Sequence, residues 1–194
     1  MDFTAYVEQK KKEARIANIE EVRRNINADW VKNKIQNHII AFNGIMTFEE
    51  VQSEILTNLV VASKFCKDPS KQNISENLAA EVLGLEKLPS QGKNCIRFNN
   101  NGDIVSISTG NTKSADFILN DYYATQKYTT EEGGAQDNQR NDVIDFLTRG
   151  SIQYKVAAIV DGPYWDKHRS ELIEIFSNNP NVLITSVTEL TKNN

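Results

Sequence analysis

Cysteine, histidine and proline are scarce in this chain of 194 residues, with two, two and four of each. Cys66 and Cys95 lie far apart without a companion motif, which excludes a four-cysteine zinc site and does not suggest a disulfide scaffold. His38 and His168 fall at unrelated points, so a histidine-rich metal site or a histidine-based triad has little to build on. No apolar run approaches the roughly 18 residues of a membrane helix. The opening "MDFTAYVEQKKKEAR" lacks the apolar segment of a secretory leader, so an intracellular, reducing location is the expectation.

What is there has an ordinary balance, 39% hydrophobic and 25% charged, enough for one domain with a helical extension. The net charge of −4 gives no global attraction to nucleic acid. Its distribution is uneven, since residues 1–40 carry eight basic and six acidic side chains. Lys10, Lys11 and Lys12 with Arg15, Arg23 and Arg24 can form a basic stripe, but a solvated helix face is the simpler reading.

From Phe3 to Phe42 apolar residues recur at helical spacing, with a break near Asn25 to Asp29, which predicts two helices. Gly44 can end the second, and Thr47 with Glu50 forms a capping box for a helix running to about Cys66. A further helix opens at Ser75. The period then becomes two: "CIRFNNNGDIVSIS" predicts a hairpin turning at Asn101-Gly102. "SADFILNDYYATQKY" predicts a second hairpin with Asn120 and Asp121 as its turn.

A helix over "AQDNQRNDVIDFLTRG" with Gly150 as its C-terminal cap follows, then the nearly continuous apolar strand "YKVAAIVDG", a helix and the strand "NVLITSV". From residue 75 the order is helix, three strands, helix, strand, helix, strand. This predicts an α/β (α+β) fold, a mixed sheet flanked by helices on both sides over residues 71–194, after an N-terminal helical region over 1–70.

In the second hairpin Leu119 faces Tyr122, so Asp116 faces Thr125 across the ladder, and Asp116, Thr125 and Lys127 project together. Asp116, the x-x-Lys ending at Lys127 and the helix after it resemble the PD-(D/E)XK nuclease superfamily, in particular type II restriction endonucleases. "GGAQDNQ" is similar to the Gly-Gly-x-Gln segment that follows the catalytic strand in some of these enzymes. The resemblance spans about residues 75 to 190 and implies a prokaryotic, cytoplasmic restriction-modification enzyme. Such an enzyme hydrolyses double-stranded DNA with Mg²⁺, commonly as a homodimer.

Carried over residue by residue, Asp116 stands at the first metal-binding acid, with Ala115 where the pattern has proline. In one register Thr125 occupies the second acid's place and Lys127 the lysine's. In the register shifted by one, the preferred one, Ala124 takes the acid's place and Gln126 the lysine's, as an experimenter would arrange to trap an uncleaved complex. Either way the second acid is missing, and weak or absent cleavage follows.

Glu81 or Glu76, on the helix before the sheet, is a candidate accessory acid, with Glu81 taken as the metal ligand, and Glu131 and Glu132 are others. Lys113, Gln136, Asn138, Gln139 and Arg140 are the candidate DNA contacts. His168 and Arg169, after the turn at Asp161-Gly162-Pro163, are possible phosphate contacts at the carboxyl edge of a central strand. A nonenzymatic alternative keeps the nuclease-like sheet and binds DNA or a partner.

Overall fold

A computed structural model describes residues 1–106, 112–130 and 134–192, the side chains of 134–136 excepted. The chain is mixed α/β and divides into two compact units, one of residues 7–74 and one of residues 1–6 with 75–194. No helix among the described residues is long and apolar enough to cross a membrane.

The helical unit draws on α1 (Phe3–Arg24), α2 (Asp29–Ala41), α3 (Phe48–Thr57) and α4 (Leu59–Phe65). Its core joins Ile19 and Val22, Val31 and Ile35, Val51 and Ile55, and Ala62 and Phe65, pairs at the three- or four-residue spacing of one helix face. The capping box is present: the Thr47 hydroxyl accepts from the Glu50 N–H while the Glu50 carboxylate accepts from the Thr47 N–H. The helix expected to continue to Cys66 instead breaks at Asn58. There the side-chain oxygen accepts from the Val60 and Val61 N–H groups and starts α4 as a separate helix. The apolar residues Leu59 to Ala62 directly after Asn58 continue the helical pattern and hid that break.

The second unit begins with α5 (Ile74–Leu83). Five short strands follow rather than three: β1 (Arg97–Phe98), β2 (Ile104–Val105), β3 (Lys113–Ser114), β4 (Phe117–Leu119) and β5 (Tyr122–Tyr128). After them come α6 (Gly134–Gly150), β6 (Val156–Asp161), α7 (Pro163–Ile175), β7 (Val182–Thr185) and α8 (Val187–Leu190). The first hairpin pairs Arg97 with Val105 and Phe98 with Ile104, and β3 adds on its other side to give the antiparallel order β2-β1-β3.

The main sheet has the order β4-β5-β6-β7, antiparallel at the β4-β5 hairpin and parallel beyond it. Leu119 pairs with Tyr122 as the two-residue turn requires, and Asn120 takes the positive φ of 53°. Because β5, β6 and β7 follow one another in a single direction, right-handed crossovers carry both α6 and α7 to the same face. Val143, Phe146 and Leu147 of α6 and Tyr164, Trp165 and Leu172 of α7 share one core with Val156, Ala158 and Val160. Every residue of β6 is buried, which explains its apolar run.

Gly150 serves packing rather than a left-handed cap. It ends α6 where a β-carbon would lie 2.4 Å from Val156 Cγ1 and 2.9 Å from the Phe98 ring.

Candidate functional site

Side chains alternate along β5, so Tyr123, Thr125 and Lys127 leave one face and Ala124, Gln126 and Tyr128 the other. Tyr123 meets Phe98 and Tyr154 edge-on in the core, which identifies the Thr125 face as the one that α6 and α7 cover.

Asp116, just before β4, is held by its backbone on both sides. Its N–H donates to the Ala124 carbonyl and its carbonyl accepts from the Leu88 N–H, each at 2.8 Å. One carboxylate oxygen, Oδ2, accepts from the Thr125 hydroxyl and from the Gln126 N–H, each at 2.9 Å. Burial pushes the Asp116 carboxyl above the usual range; the Lys127 ammonium and the Gln126 N–H oppose the rise, and the charge of Glu76 adds to it.

The structure therefore brings Thr125 to Asp116 and sets Lys127 on the same face. Of the preferred register, Ala124 is fully buried and Gln126 points to the face opposite Asp116, where its buried side-chain Nε2 has no hydrogen-bond partner among the described residues. The hairpin turn fixes this outcome, because a slip of one residue would exchange the two faces.

The accessory acid in reach of Asp116 is Glu76. It pairs with Lys87 at 2.5 Å, and Lys87 also donates to the Asn77 side chain at 2.7 Å. Glu81, five residues further along α5, lies roughly 140° around the helix from Glu76 and is exposed. Glu131 and Glu132 lie outside the described residues.

These groups do not fit a divalent cation such as Mg²⁺. Such an ion takes six or more oxygen ligands, several of them carboxylates or water. Here the second acid is a threonine, and Asp116 Oδ2 is already occupied by two donors. No group of three His, Cys, Asp or Glu side chains able to hold a metal ion occurs among the described residues.

The loop after β5 is stitched to both crossover helices. Thr129 accepts from the Trp165 indole N–H at 3.1 Å and donates to the Gln139 side chain at 2.6 Å. Its N–H donates to the Asp161 carbonyl and its carbonyl accepts from the Tyr164 N–H. Gly162 is required beside it, because its φ is 104° and a β-carbon would lie 2.4 Å from the Thr129 carbonyl oxygen. Sequence reasoning passed over Thr129, whose only signal was its place between the hairpin and "GGAQDNQ".

Most of the expected DNA contacts have protein partners. Lys113 is paired with Asp142 at 2.5 Å and Asp145 at 3.4 Å, and Arg140 with Glu171 at 2.9 Å. Gln139 is engaged by Thr129, Asn138 is exposed, and the Gln136 side chain lies outside the described residues. Arg169 pairs with Glu189 at 2.8 Å, while His168 stacks on Tyr164 and faces Glu171.

At the carboxyl edge of β6, a cavity of about 580 Å³ is lined by Asp161, Asp166, Arg169, Ser186 and Glu189 among others. Both oxygens of Asp161 accept from the Val187 N–H at 3.2 Å, and burial pushes this carboxyl up to about 6. Compared with family models, curated proteins and solved structures, the chain has no match.

Proposed function

We propose that the chain acts on double-stranded DNA as a protein of the type II restriction endonuclease kind, with a hydrolytic centre that lacks its second acid. It would bind DNA and cleave it weakly or not at all. The observation that carries this reading is the placement of Asp116 against Thr125, on the β5 face that also bears Lys127. An acid and a lysine on one hairpin face, with Glu76 supplied by the preceding helix, form the frame in which such enzymes work on a phosphodiester. The order of β4, β5, α6 and β6 supports the same reading.

The hydrogen bonds that occupy Asp116 favour the non-hydrolytic form. A carboxylate that already accepts from Thr125 and Gln126 stabilises the hairpin, and DNA binding would be what remains of the activity. The pairing of Lys113 and Arg140 with acids means that phosphate contacts there would compete with existing ion pairs.

Titration of the full chain with duplex DNA at low and moderate salt tests this. The expected result is binding that weakens steeply as salt rises, because contacts to phosphates release counterions. Absence of binding at low salt would contradict the reading.

A further inference from the structure

The cavity at the carboxyl edge of β6 lies within the second unit and shares no residue with the Asp116 site. Its walls come from the start of α1, the end of β6, the first two turns of α7 and the segment around α8. Ligands gather at the carboxyl ends of parallel strands, and the neighbouring strands β6 and β7 both end here. At about 580 Å³ the cavity has room for a small molecule.

Asp161 is the residue in it that the fold alone does not explain. It is 5% exposed and lines the cavity from the end of β6. The Val187 N–H donates to both of its oxygens at 3.2 Å, and the Thr188 N–H also favours its charged form. Two N–H groups leave about half the accepting capacity of a carboxylate unused. Arg169, whose charge also reaches Asp161, is committed to Glu189 at 2.8 Å. An asparagine would serve the Val187 N–H equally well and would bury no charge. Burial accordingly pushes the Asp161 carboxyl up to about 6, and the charge of Asp166 adds to the rise. A buried acid that its own surroundings do not require, set in a cavity, is the mark of a binding or catalytic group.

We propose that this cavity binds a small aliphatic ligand by a protonated amine, which the Asp161 and Asp166 carboxylates receive. With Arg169 and Glu189 cancelling each other, three acids of the lining, Asp2, Asp161 and Asp166, face one base, Lys192, so the ionised cavity favours a cation. An amine suits it better than a metal ion. A hard cation needs several carboxylates converging on one point, and no such group occurs among the described residues. An ammonium instead spreads three N–H donors over separate acceptors, and the Thr4 and Thr188 side chains add hydroxyl oxygens to the two acids. Lys192 is the one group of the lining left to meet a carboxylate on the same ligand, as an amino acid would carry. The inference does not rest on the DNA reading, since no residue of the Asp116 site takes part in it.

Isothermal titration of the full chain at neutral pH tests it, with butylamine, putrescine and L-ornithine as probes and 1-butanol as the uncharged control. At least one amine is expected to bind with a Kd of about 1 mM or below, and the alcohol not at all. Ornithine binding more tightly than putrescine would support an amino acid as the ligand, and the reverse order a plain amine. Asp161→Asn should weaken the binding at least about tenfold while raising the melting temperature, so that loss of the contact is not mistaken for loss of the fold. Asp166→Asn should weaken it as well. No heat from any of the three amines up to about 10 mM would overturn the proposal, as would undiminished binding by a folded Asp161→Asn variant. DNA binding measured on the same samples keeps the two readings separate.

Discussion

The Thr125 hydroxyl donates a hydrogen bond of 2.9 Å to Asp116 Oδ2. This one contact spans the β4-β5 hairpin where the PD-(D/E)XK pattern would place two acids side by side. Two carboxylates at that distance repel and are held together by a cation; an alcohol and a carboxylate attract directly. These two side chains therefore need no cation to sit side by side, where two acids would need one.

Replacing Thr125 by valine removes the hydroxyl and keeps the volume. Among the described residues, the Gln126 N–H then remains as the donor on that oxygen. A loss of about 1 to 2 kcal/mol is expected at neutral pH, the usual result of taking one partner from a partly buried ionised group. Chemical denaturation of the variant beside the parent measures it.

Asp161 makes stability depend on pH in the direction opposite to an ion-paired carboxylate. Its folded-state value of about 6 lies above its ordinary 3.8, so folding favours the protonated acid. The contribution is complete below about pH 4 and is lost as pH rises through about 6, a swing on the order of 3 kcal/mol. Asp161→Asn keeps an oxygen for the Val187 N–H and removes the titration. The variant should therefore gain stability relative to the parent between pH 4.5 and 7.5, which melting temperatures at the two values would show.

Gly162→Ala introduces a side chain at a φ of 104°, with its β-carbon against the Thr129 carbonyl. The cost should exceed about 2 kcal/mol, since strained backbone and steric contact add. Because Thr129 links β5 to α6 and α7, the quenching of the buried Trp165 should change in the same variant.

Much of this arrangement was legible in the sequence, and two of the failures share one cause. Asn120-Asp121 fixed the hairpin register through the pairing of Leu119 with Tyr122, and the uninterrupted run of β6 announced a strand buried on both faces. The turn already set Asp116 opposite Thr125; Ala124 with Gln126 competed only through the motif pattern, which does not read the hairpin's pairing, and the hydrogen bond from Thr125 to Asp116 agrees with the turn. Glu76 and Glu81 are both acids on one helix, and only the helix phase relative to the sheet selects between them. The break at Asn58 was masked by apolar residues on both sides of it. In these last two cases local chemistry offered two answers and tertiary packing selected one.

Restoring the second acid tests most directly whether the Asp116 face is a nuclease centre. Thr125→Glu, with Thr125→Asp as a smaller change in a buried position, would be given plasmid DNA with and without Mg²⁺ after circular dichroism has confirmed the fold. Cleavage that requires Mg²⁺ and disappears when Asp116→Asn is added to the same variant is the expected outcome. Folded variants that leave the plasmid intact at every Mg²⁺ concentration would contradict it.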